Sequence, residues 1–512
     1  MIMLPSFRKS YVLSSGSVTA LLLFILFSPV HAENIHISNI VLLSHKRDTP
    51  VQKVQFDIAW SKSWRNSDNF DAAWVFIKYS ADNGKTWEHG NLACGGVNPE
   101  GFERGAGTAV EVIVPEDTCG AFIQRSAPGR GDLNTRNIIF PFLYRGKATE
   151  DMRLKIRLFA VEMIYITEGA FYAGDPRGPS GPRNCFYTFG KDNNAAYRIC
   201  SEQPIGIGAE QGNLYYNRDT EFSGDRSGPV PAAFPKGYAA FYLMKYEVTQ
   251  GQYRDFLNTL TARQQRQRCP VTKNGSFMNG KKDGPPRPEF RNGIQNRNGT
   301  YVCNLTNDAV FDGRDDGTDI PCNWVNWADL AAFADWAGLR PMTELELEKA
   351  CRGPRKPSPD EYPWGTPPPS QIQGIINMGT PEEQISPENA DCAYGNHQNV
   401  QGPVKSGLSA AGYWGNTELA GNLWERAVTV GTPEGRKFDG RHGNGQLDKD
   451  GFADVQNWPG KEETGSGFRG GSWRSGSYEC LIAERSAAAH TNTHKHNRYI
   501  THGIRCARTA PE

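Results

Sequence analysis

The chain has 512 residues, with 56 basic and 56 acidic side chains and a formal net charge of zero, so no overall field favours nucleic acid or strongly charged partners. Its 55 glycines and 33 prolines, together with 12 tryptophans and 19 tyrosines, point to a loop-rich fold pinned by aromatic rings and exclude a simple helical bundle. A chain of this length is expected to form two or three domains.

Residues 1–32 read as a targeting segment. Arg8 and Lys9 precede an apolar run from Val18 to Phe27, and Val30-His31-Ala32 offers small residues where a signal peptidase cuts. The run is too short to span a bilayer comfortably, and no later stretch qualifies. The expectation is an exported protein, periplasmic or extracellular, that starts at Glu33 and keeps no transmembrane segment. All 11 cysteines follow this segment, in a compartment that permits disulfides. Cys94 with Cys119, Cys185 with Cys200 and Cys269 with Cys303 are near enough to close local loops, and the odd count leaves one thiol over. The connectivity stays open.

Residues 33–160 alternate β-prone runs with turn clusters. The expected strands are Ile35–Leu43, Val54–Trp60, Ala73–Tyr79, Ala109–Val114, Asn137–Leu143 and Arg153–Val161, arranged as an immunoglobulin-like β-sandwich. In Lys53–Trp60 the apolar residues fall at every second position, as a half-buried strand requires. Ser80–Trp87, SADNGKTW, resembles the Asp-box hairpin of sialidase-type propellers. No repeats of the box follow, so it reads as a hairpin without catalysis.

A second domain is expected over 161–512, with polar insertions near 175–235 and 263–321. Three helices are signalled by capping boxes or N-caps. Thr249 with Gln252 starts the first, Asn326 caps the second, and Thr343 with Glu346 starts the third. Short strands are expected at Phe468–Trp473 and Gly503–Ala507. Asp439–Asp454, DGRHGNGQLDKDGFAD, has the composition of a calcium loop but not its spacing, and reads as a polar loop. His490, His494, His496 and His502 crowd one polar run. No cysteine or carboxylate completes a metal pattern there, and an exposed loop is expected.

Three ordered blocks carry a family resemblance: Trp336–Gly353 with Pro363-Trp364-Gly365, Gly421-Asn422-Leu423-Trp424-Glu425, and Gly470-Gly471-Ser472-Trp473 running through Arg485-Ser486 to Gly503-Ile504-Arg505. The chain resembles the sulfatase-modifying factor, or formylglycine-generating-enzyme-like, family. That resemblance implies an α+β, C-type-lectin-like fold for the second domain, with the GN-x-WE block in its core. Arg426 stands where the family usually has a second tryptophan. In oxidising members two cysteines after the GGS-aromatic segment bind copper and convert a substrate cysteine to formylglycine. Here those positions are Ser475 and Cys480, so copper is not expected, because a single thiolate with a hydroxyl makes a poor Cu(I) site. Ser472, Ser475 and Cys480 are the candidate catalytic residues. The resemblance also implies calcium as a candidate cofactor, at Glu418, Asn422 and Glu425, with Asn389 at a second site.

Three functions compete. One is a family member of non-oxidising or unassigned activity. The second is a formylglycine-generating oxidase acting on a peptide cysteine or serine. The third is a lectin-fold binding or surface-adhesion module. The expected partner is a protein or peptide, or a surface ligand met by loops 474–502, and not nucleic acid. Export has a direct check. Intact-mass measurement of secreted protein should show a chain beginning at Glu33, and retention of Met1 would remove the premise.

Overall fold

The computed structural model describes residues 35–44, 50–146, 154–191, 194–219, 221–280, 285–365, 368–380, 382–387, 390, 402–408, 411–491 and 497–511. The targeting segment, Asn389, Cys392, His494 and His496 lie outside them.

The first region is all β. His36–Ser44, Val51–Arg65 and Gly129–Leu143 form an antiparallel sheet with the short Ala106–Gly107 strand at its edge. Val51–Arg65 alternates half-buried and buried residues along its length, which is the expected period of two. Its inward side chains Val54, Phe56, Ile58 and Trp60 pack with Ala73, Val75, Ile77 and Tyr79 of the facing Asp71–Ser80 strand. The Ala121–Arg125 strand, unmarked in the sequence reading, is bracketed between Asp71–Ser80 and Val110–Val114.

Asp71–Ser80 is buried on both faces. Its other set, Ala72, Trp74 and Phe76, belongs to the core of the second region, where Phe76 meets Trp336 edge-on at 5.0 Å. The Lys155–Ile166 strand explains how one core reaches the other. It runs unbroken across the expected boundary at 160/161. It pairs with Asp71–Ser80 from Lys155↔Ser80 to Ile164↔Asp71, and with Phe241–Met244 from Met163↔Met244 to Ile166↔Phe241. Phe241–Met244 continues to Cys506–Thr509 and then to Arg340–Pro341. One nine-stranded sheet therefore spans both regions.

The second region is mostly loops and short strands with few helices. The expected caps are present: Thr249 opens α1 (Gln250–Leu257), Asn326 opens α3 (Trp327–Trp336) and Thr343 opens α4 (Glu344–Arg352), each with a reciprocal capping box. The stretch taken as a polar insertion from 263 hides α2 (Ala262–Arg268), capped by Thr261 and Gln264, and a hairpin of Ile294–Arg297 with Thr300–Cys303. The sequence ARQQRQR has no apolar stripe, so periodicity gave no sign of α2.

Loop 439–454 is a strap held by acidic side chains. Asp335 at the end of α3 accepts the backbone N–H of Asn444 at 2.9 Å and of Asp454 at 3.1 Å, while Asp448 accepts those of Asp450 and Phe452. Lys78 crosses from the first region to donate to the Trp336 carbonyl at 2.8 Å and to that of Gly445.

The expected local disulfides do not form. Cys94, Cys119, Cys185, Cys200, Cys269 and Cys303 are free thiols. Cys119 donates to the Gly443 carbonyl at 3.7 Å and Cys185 to that of Gly178 at 3.0 Å, whereas Cys200 stands at the surface. Cys269 and Cys303 are fully buried among apolar neighbours, where burial pushes the Cys269 thiol up to about 11. These thiols act as small apolar side chains. Among the described residues no helix is long and apolar enough to cross a membrane.

Trp74, on a strand of the first region, is fully buried in the core of the second, with its indole N–H donating to the Ala337 carbonyl at 2.8 Å. Trp74→Ala should cost about 3–5 kcal/mol, as cavities left by large aromatic deletions do. Scanning calorimetry checks it: a variant melting with the wild type would show the two regions to be independent.

Candidate functional site

The three family blocks converge on a small sheet. Trp424–Val428 pairs antiparallel with Ser466–Arg469, with Arg426 opposite Phe468, and parallel with His502–Gly503, with Trp424 opposite His502. Strand alternation puts Trp424 and Arg426 on one face and Glu425 on the other. The two faces do different things.

On the inner face Glu425 meets a fully buried acid cluster. The Arg505 guanidinium donates to Glu425 at 2.7 Å and to the carbonyls of Met244, Lys245, Thr417 and Glu418. Asn422 donates to Glu247 at 2.6 Å, and the Leu423 N–H donates to the same carboxyl at 3.1 Å. Glu418 accepts the N–H of Gly407. Burial, then Glu418 and Glu425, push the Glu247 carboxyl far up, and burial raises Glu418 to about 7 and Glu425 as well. Glu247 was not singled out from sequence. Its signal is an acid inside the apolar run Phe241–Val248.

Glu418, Asn422 and Glu425 are therefore brought together, as the resemblance implied. The second oxygens of Glu418 and Glu425 are buried without a hydrogen-bond partner, so the charge there would suit a cation. The donor set does not. Calcium takes six to eight oxygens. Asn422 is already used at both ends, by Glu247 and by the Val404 N–H, and Arg505 sits on Glu425. Among the described residues no three His, Cys, Asp or Glu side chains are placed to hold a metal ion. Arg505 offsets part of the cluster's charge, and burial favours the protonated carboxyls.

The GGSW segment packs above this. Gly470 and Gly471 have φ of +87° and +74°, and a Cβ on Gly471 would stand 3.1 Å from the Cys480 sulfur. Ser475 accepts the Ser472 N–H at 3.0 Å, its own N–H donates to the Ser472 carbonyl at 2.9 Å, and the two hydroxyls lie 3.3 Å apart. Cys480 is wholly buried with Tyr362, Ala420 and Leu481, its thiol directed to the Gly476 carbonyl at 3.8 Å. Ser472 and Ser475 thus share one turn, which the Ser475 hydroxyl closes, and Cys480 ends the short 3-10 helix Ser477–Cys480 that follows.

The frame below it is ionic. Arg469 donates to Glu344 at 3.1 Å and to Glu348 at 2.9 Å, and Arg485 grips Glu344 through two bonds at 2.7 and 3.0 Å. Burial would push the Glu344 carboxyl up, but Arg485 first and Arg469 after it hold it below the usual range.

On the outer face lies a cavity of about 400 Å³, a size usual for small-ligand sites, lined by Trp424, Phe468, Ala487, His490, Asn497, Tyr499, Thr501 and His502. Trp424 is half-buried, a wall of this cavity and not the core aromatic expected, whereas Asn422, Leu423 and Glu425 of the same block are buried. Phe468 and His502 rings lie 4.5 Å apart. Arg426, where the family has tryptophan, covers the other side of the Phe468 ring at 3.8 Å and is paired with Glu463 at 2.7 Å. His490 and His502, expected in an exposed loop, are brought to one cavity because Ala487–His490 lies against the Phe468 strand.

The family model of the sulfatase-modifying factor enzyme 1-like domain matches residues 201–510. A hercynine oxygenase of Mycobacterium tuberculosis is 28% identical over 188 residues, 36% of this chain and 37% of the relative. Another, of Mycolicibacterium smegmatis, is 31% identical over 108 residues, 21% of each. The chain thus spans well under half of these relatives. The solved structure of Treponema denticola variable protein 1 covers 68% of this chain and 96% of its own, at 14% identity and a TM-score of 0.30, too low to argue from.

The acid cluster makes stability depend on pH with a definite sign. Carboxyls raised in the folded state hold their protons best below their ordinary value, and that stabilisation is lost as pH rises through the folded value. Melting temperature should fall between pH 5 and pH 8, through the Glu418 value of about 7. Glu418→Gln should flatten the fall, and calcium or a chelator should leave it unchanged. A calcium-dependent rise in melting temperature would restore the cation site.

Proposed function

The chain belongs to the sulfatase-modifying factor enzyme 1-like family, and from that premise we propose that it is a ligand-binding member without copper-dependent oxidation. The observation that carries this reading is the Ser472–Ser475 turn. Where an oxidising member has its first thiol, the Ser475 hydroxyl is committed to the Ser472 N–H, and the remaining thiol, Cys480, is wholly buried. Cu(I) favours soft thiolates, and a reactive thiolate needs access and a positive neighbourhood. What the site offers in exchange is the aromatic cavity beside His490 and His502.

The competing reading is an oxidase of the formylglycine-generating type acting on a peptide cysteine or serine. Its support is that the relatives include hercynine oxygenases. The finer fold assignments belong to the same proposal: a C-type-lectin-like second domain, supported by its short strands and long loops, and an immunoglobulin-like first domain, supported by two antiparallel sheets around one core. Export rests on the segment 1–32. A ligand met outside the cytoplasm, on a protein or a surface, fits that location.

Supplied with copper and oxygen, the protein should leave a CxPxR-type peptide, the motif the family's oxidases recognise, unconverted. Iodoacetamide should label Cys480 only after denaturation, as read by peptide mass mapping. Peptide conversion that disappears in Cys480→Ser would overturn the proposal and establish the oxidase.

A further inference from the structure

Resting on the binding reading above, we infer that the cavity between Trp424, Phe468, Tyr499 and His502 takes a neutral aromatic ring bearing a hydroxyl, a ligand of the phenol class.

Three observations select that class. The first is the wall. Trp424, Phe468 and Tyr499 line the cavity together with two imidazoles, and Tyr499 stands 47% exposed at its mouth. Planar rings pack against such walls in offset or edge-on contacts.

The second is charge. None of the described lining residues carries a formal charge. Arg426, whose guanidinium lies over the Phe468 ring, is tied to Glu463, both of them buried. A charged ligand would lose its hydration there and gain no counter-charge. A sugar meets a related obstacle: its several hydroxyls would find few partners among these rings.

The third is His502. Its side chain is nine-tenths buried, and its Nδ1 is enclosed with no hydrogen-bond partner. The ring lies 4.5 Å from that of Phe468 and 5.6 Å from that of Tyr499. Nε2 is therefore the ring nitrogen that can reach the cavity. Burial first, then Arg426 and His490, hold the imidazole down to about 3, so it is neutral and offers one polar atom to a bound group. A hydroxyl both donates and accepts, and so satisfies Nε2 in either tautomer.

The test compares 4-methylphenol with toluene, which has the same ring and no hydroxyl, by ligand-observed NMR on the full chain. One hydrogen bond to a buried group predicts about tenfold tighter binding of 4-methylphenol. His502→Phe should erase that preference while keeping toluene binding, and Tyr499→Ala, at an exposed position, should weaken both. If His502→Phe fails to fold, the wild-type ratio decides. N-acetyl-tyrosinamide separates the sources: binding tighter than 4-methylphenol identifies a tyrosine side chain on a polypeptide, weaker binding a free phenol, and both support the class. Equal affinity for toluene and 4-methylphenol overturns it. Binding of choline or methyl glucoside in place of the phenol, lost in Tyr499→Ala, overturns the class but keeps the binding module. No binding of any of these overturns the class, and if copper-dependent peptide conversion is then found, the binding module falls with it.

Discussion

The second region depends on one buried helix that carries charge. In α4 the side chains Glu344, Glu346 and Glu348 are all buried, where an unpaired carboxylate is strongly unfavourable. Each is matched by a segment distant in sequence or by the turn before the helix. Glu344 takes Arg469 and Arg485, Glu348 takes Arg469 and the Gly174 N–H, and Glu346 takes Arg340. Glu344 and Glu348, one helical turn apart, therefore fix the strand before GGSW and the stretch after Cys480 together. The turn between them has little freedom left. A catalytic thiol pair, a serine turn or a binding loop could sit on the same frame, because the frame is set by the arginines and not by the chemistry they surround.

The same logic holds at the junction of the two regions. Asp71–Ser80 has no solvent-facing side, so both cores close on one strand. Lys78 is one of its buried polar residues, with Asp71 and Ser80. Burial pushes its amine down to about 7, and it still reaches two carbonyls of the second region. The Asp335 carboxyl, also raised to about 7 by burial, ties down the 439–454 strap beside it. The first region is thus a structural part of the domain it precedes, not an appendage on a linker.

At the outer face a single replacement links the two sides of the small sheet. Arg426 stacks on Phe468, is paired with Glu463 and adds to the burial that keeps His502 uncharged. A tryptophan there would bring neither the cation nor its partner. The departure from the family pattern at 426 and the departure at 475 lie on the three blocks that define the fold. The frame tolerates both because its own contacts run through Glu344, Glu348, Arg469, Arg485 and Arg505.

The sequence by itself determined what depends on near neighbours. Capping boxes at Thr249 and Thr343 and the N-cap Asn326 were legible because each signal lies within three residues of its helix start, and the Val54–Trp60 part of the Val51–Arg65 strand because its alternation is internal. The motif blocks identified the family, and with it the meeting of Glu418, Asn422 and Glu425. Tertiary structure alone decided the rest. Glu247 joins that cluster across about 170 residues of chain. His490 and His502 share a cavity only because the Phe468 strand lies between them. The cysteines near in sequence stay unpaired because their thiols are packed among apolar neighbours or turned to separate carbonyls, and no spacing rule reports the direction of a side chain. Burial, which moves the acids of the inner face up and His502 down, belongs to the assembled fold and to no stretch of residues within it.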